Sequence, residues 1–164
     1  MPQTATATDL IARVDASETR LAGLATSAPA SVSDASPTGN EAEWDAGQVW
    51  AHIAELTPYW IGECRRIIAD QGSGPVPFGR VPEDGQRDHA IELGRHRSAA
   101  ERWQAIVAGL AQFRLFVAGL SEADWDAVGL HVKGDQRTVR RVLTTTVADH
   151  LDDHAAQLER LAER

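Results

Sequence analysis

The sequence predicts an all-α protein folded as a four-helix bundle. Four stretches repeat apolar residues at the helical period, two of them open on a capping box, and the last carries two histidines four residues apart on its apolar stripe. At 164 residues the chain has room for one hydrophobic core, so a single domain over 1–164 is expected.

Helix one spans about Thr8 to Ala25, with Leu10, Ile11, Val14, Leu21 and Leu24 on one side and Arg13, Glu18 and Arg20 on the other. From Thr26 to Glu43 the chain turns to Ser, Pro, Thr, Gly and Asn, too poor in apolar residues for an element, and a long connection is predicted. Helix two begins at about Ala46: Asp45 can cap the free N–H groups, Gln48 completes the box, and Trp44 can staple onto Val49. Its stripe is Val49, Ile53, Leu56, Trp60, Cys64 and Ile67. Pro58 removes a backbone hydrogen bond, so the helix kinks or stops there; the unbroken apolar phase through Ile68 favours the kink. Gln71 to Asp88, rich in Gly and Pro, reads as a long irregular connection, either a plain crossover or a lid over a site. Ser98 and Glu101 open helix three, Ala99 to Ala118, with His89 and His96 ahead of it in a stretch that can add a helical turn, both read as surface or loop residues. Ser121 to Gln136 is read as a connecting loop, and the final helix runs from about Thr138 to Leu161.

On that final helix Val139, Leu143, His150, His154, Gln157 and Leu161 fall on one stripe. Histidines at i and i+4 stand one above the other and can close on a single ion. Burying them is costly unless they are satisfied, by a shared metal or by hydrogen bonds to buried partners, and a third ligand decides between the two. His52, at the edge of the helix-two stripe, is the candidate. It lies about 9 Å from the start of helix two, and the pair about 15 Å from the end of helix four, so an antiparallel pairing brings them level. A simple up-down-up-down course would instead make those helices parallel, whereas the long connection before helix three permits a crossover.

Three neutral imidazoles leave a coordination position open, as catalytic zinc sites do, and suit zinc and nickel alike. An ion so held lowers the pKa of a bound water or thiol. Asp149 and Asp153 are candidate partners for the second ring nitrogens. Tyr59 and Gln157 either line a substrate pocket or pack with their polar ends satisfied. No residue announces itself as nucleophile or general base, so no catalytic residue is assigned, Glu55 and Glu63 included.

A net charge of −8 and scattered basic residues argue against a nucleic-acid surface. The single cysteine, Cys64, forbids an internal disulfide and reads as a small buried hydrophobe. With no leader-like start and no window approaching a membrane span, a cytoplasmic chain with a small-molecule or thiol partner is expected, and a homodimer if one helix leaves an apolar face uncovered.

Two segments carry a resemblance. Trp44-Asp-Ala-Gly-Gln-Val-Trp-Ala-His-Ile-Ala-Glu55, followed by Asp149-His-Leu-Asp-Asp-His-Ala-Ala-Gln-Leu158, resembles the DinB-like superfamily, which includes thiol-dependent S-transferases and the metal-binding domain of mycothiol-dependent maleylpyruvate isomerase. The resemblance implies a four-helix bundle of up-down-down-up course with a long crossover between helices two and three. It also implies a divalent metal at His52, His150 and His154, and a thiol S-transferase using mycothiol or bacillithiol. A non-catalytic metal- or ligand-binding bundle is the alternative.

Overall fold

The computed structural model describes residues 5–26, 34, 36–37, 40–81 and 85–163; much of the predicted Thr26–Glu43 connection and part of the Gln71–Asp88 one lie outside these. Helix α1 (Ala7–Ala25) opens on a Thr6–Asp9 capping box. Helix α2 (Ala46–Ala69) opens on the Asp45–Gln48 box and runs through Pro58 without ending. A shorter helix, α3 (Gln86–Arg95), precedes α4 (Ala99–Ala118), which opens on the Ser98–Glu101 box. After the single turn α5 (Glu122–Trp125), the last helix passes through three segments: α6 (Val139–Val142), a π-helical stretch Leu143–Ala148, and α7 (Asp149–Ala162).

α2 packs against α4 and the last helix, and α1 packs against the same two from the other side. Gly109 of α4 abuts Thr57 and Pro58, and further along Arg65 lies 5.5 Å over the Phe116 ring, so α2 and α4 run parallel. Arg13 bridges to Asp149 and Arg20 to Glu159, so α1 runs parallel to α7. His52, early in α2, meets His150, whereas Ile67, late in α2, meets Gly129 ahead of the last helix; these two are antiparallel. The course is therefore up-down-down-up, as the resemblance implies. Leu10, Val14, Ile53, Ile61, Ile67, Leu110, Phe113, Val142 and Leu151 fill the space between, all at 2% exposure or less.

Two stretches read as irregular from sequence hold a small sheet. β1 (Val76–Phe78) pairs parallel with β2 (Val128–His131), with Phe78 opposite His131, and β2 pairs antiparallel with β3 (Gln136–Thr138). Strands of three or four residues are too short to display a period, and β1 contains Pro77, which sequence rules confine to sheet edges; β1 is an edge strand. α3 extends the added turn expected around His89 to a helix of 10 residues, a length the sequence does not signal because only Ile91 of it is a buried hydrophobe.

The sheet seals the bundle where α2 ends. Gly129 makes that contact possible: a Cβ there would stand 2.6 Å from Phe78 Cδ1 and 2.8 Å from Ile67 Cδ1. Gly129→Val is expected to destabilise the protein by about 1–3 kcal/mol through overpacking, read as a lower urea midpoint at unchanged slope.

Candidate metal centre

Four side chains converge near one end of α2. Glu41, His52, His150 and His154 each offer a ligand atom, and these atoms lie within 4.8 Å of one another. Glu41 comes from a 3₁₀ turn, Glu41–Glu43, that Asn40 caps by accepting the Ala42 N–H. His52 is held on the second turn of α2, fixed by the Asp45–Gln48 box, and the pair by α7.

The π stretch sets the rotation of α7. A π turn holds one residue more than an α turn, so the core phase slips by one position after Leu143. Leu151, Ala155 and Leu158 take the fully buried positions, His154 stays buried at 4%, and His150 turns towards a cavity with 30% of its side chain exposed. The single straight stripe expected from the sequence is thus broken: Val139 and Leu143 lie in the core, but His150 does not follow them.

Hydrogen bonds fix which nitrogen of each ring is free. His52 donates from Nδ1 to Glu55 Oε1 at 2.7 Å, and Arg80 holds the same carboxylate. His154 donates from Nδ1 to Gln157 Oε1 at 2.9 Å, while the Gln157 amide donates to the Glu41 carbonyl at 2.7 Å, which sets the amide's orientation. Both rings therefore turn a bare Nε2 lone pair inward. His154 Nε2 is buried with no hydrogen-bond partner, a costly state for a polar atom unless a cation takes the lone pair. His52 Nε2 and His150 Nε2 stand 3.1 Å apart, close to the separation of about 3.3 Å for two nitrogens on one tetrahedral zinc. Glu41 Oε2 lies farther out, 3.5 Å from His150 Nε2 and 3.8 Å from His154 Nε2, with its other oxygen held by Arg87 at 2.8 Å. The donor set and its spacing fit a divalent ion of the zinc or nickel type.

The environment disfavours the protonated forms of His150 and His154. Burial, then the neighbouring His150 and His52, press the His154 pKa from 6.5 down to about 3. Burial, then the charge on His52, lowers His150 too. Burial alone would raise Glu55, but the hydrogen bonds from His52 and Arg80 outweigh it and keep it ionised. Trp44 covers the cluster, edge-on to His52 at 5.2 Å and stacked on His154 at 6.3 Å.

The structure brings His52, His150 and His154 together. Gln157 is a buried orienting partner of His154, and Tyr59 lies beneath the Arg80 guanidinium at 3.8 Å; neither lines the cavity. Asp149 is not a partner of a ring nitrogen; it faces outward in an ion pair with Arg13, and the ring partners are Glu55 and Gln157. His96 is exposed and pairs with Glu92. Glu41 was missed because it sits in the stretch poor in apolar residues. The available signal was electrostatic: three neutral ligands leave a dication uncompensated, so a nearby carboxylate is to be expected.

The cavity beside the cluster measures about 440 Å³ and is lined by Glu41, His52 and His150 together with Leu56, Trp60, Val81, Thr145 and a set of basic side chains. Fold and site together define a helical bundle with a histidine-rich centre open to a small-molecule cavity. Residues 13–158 match the DinB superfamily, and the chain belongs to it. Among solved structures, the mycothiol-dependent maleylpyruvate isomerase superposes with a TM-score of 0.67 at 14% identity, over 94% of this chain and 61% of that one. This chain thus spans less than two thirds of the isomerase's length. YfiT from Bacillus subtilis, described as a probable metal-dependent hydrolase with an unusual four-helix bundle topology, gives a TM-score of 0.72 at 12% identity, over 100% of this chain and 92% of that one. No curated protein matches in sequence. Among the described residues no helix is long and apolar enough to cross a membrane.

Because the folded-state pKa of His154 lies below its unfolded value, the unfolded chain binds a proton that the folded chain does not between about pH 6.5 and 3. The metal-free protein is therefore expected to lose stability progressively as pH falls through that window. His154→Phe should flatten the loss, as measured by urea midpoints at a series of pH values.

Proposed function

We propose that the chain is a metal-dependent enzyme that transfers a low-molecular-weight thiol, mycothiol or bacillithiol, to a small electrophile, with His52, His150 and His154 as the ligands of a divalent ion. The observation that carries this reading is the openness of the centre: two of the three rings border a cavity of about 440 Å³, a size suited to a small molecule, whereas structural metal sites are closed on all sides. An ion held there would supply a lowered pKa to a thiol or water brought against it.

The chain's own residues divide the remaining work. Glu55 and Gln157 hold two rings in the tautomer that leaves Nε2 free. Glu41, 3.5 Å from His150 Nε2 where His52 Nε2 stands at 3.1 Å, and tied by Arg87, is positioned to take the proton that a thiol loses. The nucleophile must come from outside. Cys64 is wholly buried and its thiol is pushed well above the ordinary cysteine range, chiefly by burial, so it is inert. The thiol reading is supported by the superposition on a mycothiol-dependent isomerase. Attack by water is the neighbouring alternative, supported by the description of YfiT.

Protein purified without a polyhistidine tag is expected to carry about one zinc or nickel per chain. His52→Ala should abolish that metal, and Glu55→Gln should weaken it about 10–100-fold. Glu41→Gln should keep the metal while losing activity. Thiol transfer to chlorodinitrobenzene should stop on chelation and return on adding metal back. Metal content unaffected by His52→Ala would overturn the ligand assignment, and metal binding with neither transfer nor hydrolysis would leave a non-catalytic bundle.

A further inference from the structure

The β2–β3 hairpin borders the same cavity but supplies none of the four clustered side chains, and it is fixed by its own set of hydrogen bonds. His131, at the end of β2, is 7% exposed and borders the cavity. Its backbone is pinned on both faces: its N–H donates to Asp135 at 2.9 Å, and its carbonyl accepts from Gly134 at 2.7 Å. Its ring is fixed as well, because Nδ1 accepts the backbone N–H of Lys133 at 3.2 Å. A neutral imidazole with Nδ1 accepting must carry its proton on Nε2. Burial, reinforced by the Arg137 charge, holds the ring below the ordinary histidine pKa and so in that neutral form. Behind it, Gly79 adopts φ +97°, and a Cβ there would fall 2.8 Å from His131 Nε2 and Cδ2. The glycine gives the ring its place, and Glu63 in turn anchors the Gly79 N–H at 2.6 Å.

The cations around the cavity are not equivalent. Arg80 is bound to Glu55, Arg87 to Glu41 and Asp88, and Arg137 to Asp135. Lys133, on the turn beside His131, makes no ion pair among the described residues and lines the same cavity. One fixed N–H donor next to one uncompensated cation suits a monoanion with two acceptor oxygens. The apolar side chains Leu56, Trp60 and Val81, which line the same cavity, suit the carbon body of such a molecule.

From this the geometry points to the β2–β3 hairpin as the subsite for a carboxylate of the substrate, with the His131 Nε2–H and the Lys133 ammonium as its donors. The assignment rests on the reading of the cavity as a substrate site, and it places the reacting end of a carboxylic acid substrate at the histidine cluster, with the carboxylate at the hairpin. His131 and Lys133 are binding and positioning residues; they take no proton from the reacting atoms.

Benzoate and its neutral counterpart benzamide serve as probes, titrated by calorimetry into the full chain with zinc bound and with zinc removed. Benzoate should bind both forms, about tenfold more tightly than benzamide. Lys133→Gln and His131→Phe should each weaken benzoate about tenfold and leave benzamide and zinc content unchanged, with Lys133→Arg restoring affinity. Ring nitrogen NMR of His131 should give the Nε2–H tautomer and shift on adding benzoate. Lys133→Gln changes an exposed side chain and keeps the test readable if His131→Phe misfolds. Benzoate affinity that ignores both substitutions and vanishes with zinc would put the carboxylate on the metal and overturn the assignment, as would no preference over benzamide. Failure of the metal reading looks different: no zinc uptake, with benzoate binding to the hairpin intact.

Discussion

The arrangement turns on two hydrogen bonds, His52 Nδ1 to Glu55 and His154 Nδ1 to Gln157. Each commits the outer nitrogen of its ring, so that the inner one faces its neighbours across the cluster. His52 Nε2 meets His150 Nε2 at 3.1 Å, while His154 Nε2 is buried with no hydrogen-bond partner, a cost that a cation in the cluster would relieve. Much of the fold follows from bringing these rings level. α2 and the last helix are antiparallel while α2 and α4 are parallel, so the chain crosses over after α2, and that crossover supplies β1, the strand that joins β2 and β3 in the sheet packed on the end of α2.

Charge is distributed to support this. The chain is acidic overall, yet the cavity wall gathers arginines, most of them neutralised by a carboxylate that has a second task. Glu55 holds both Arg80 and His52, and Glu41 lies between Arg87 and the rings. Each pairing fixes a carboxylate oxygen in place, so the orientation of the histidines is linked to the basic wall. Arg20 and Arg13 act at longer range, fastening α1 alongside α7 through Glu159, Asp152 and Asp149.

What the sequence disclosed and what it concealed have physical reasons. The capping boxes at Asp45 and Ser98 are local devices, written in adjacent residues, and both helix starts were legible to the residue. The histidine pair and His52 were legible because helical spacing fixes a face and rise fixes a height. β1 was hidden because its partner lies some fifty residues away: Phe78 is in a strand only because His131 is opposite it, while β2 and β3 were hidden by their shortness. Glu41 was hidden for the same reason, since a three-residue turn has no periodicity and its role comes from side chains more than a hundred positions distant. Gln157 was legible as a polar group on an inward stripe, but its bond to the Glu41 carbonyl was not.

The π stretch has one more implication. Thr144, Thr145 and Thr146 each return a hydroxyl bond to the carbonyl four residues earlier, so the widened turn is secured by side chains as well as by the backbone. The parts before and after it are moored separately, one to the sheet and the other to α1 and the histidine cluster. A widened turn of this kind is the trace that a single inserted residue leaves in an ordinary helix when neither flank can rotate to absorb it. Kindred chains one residue shorter at this point can therefore carry the same cluster in the same place, and an alignment that slides the gap past Asp149 would match the wrong side chains to its histidines.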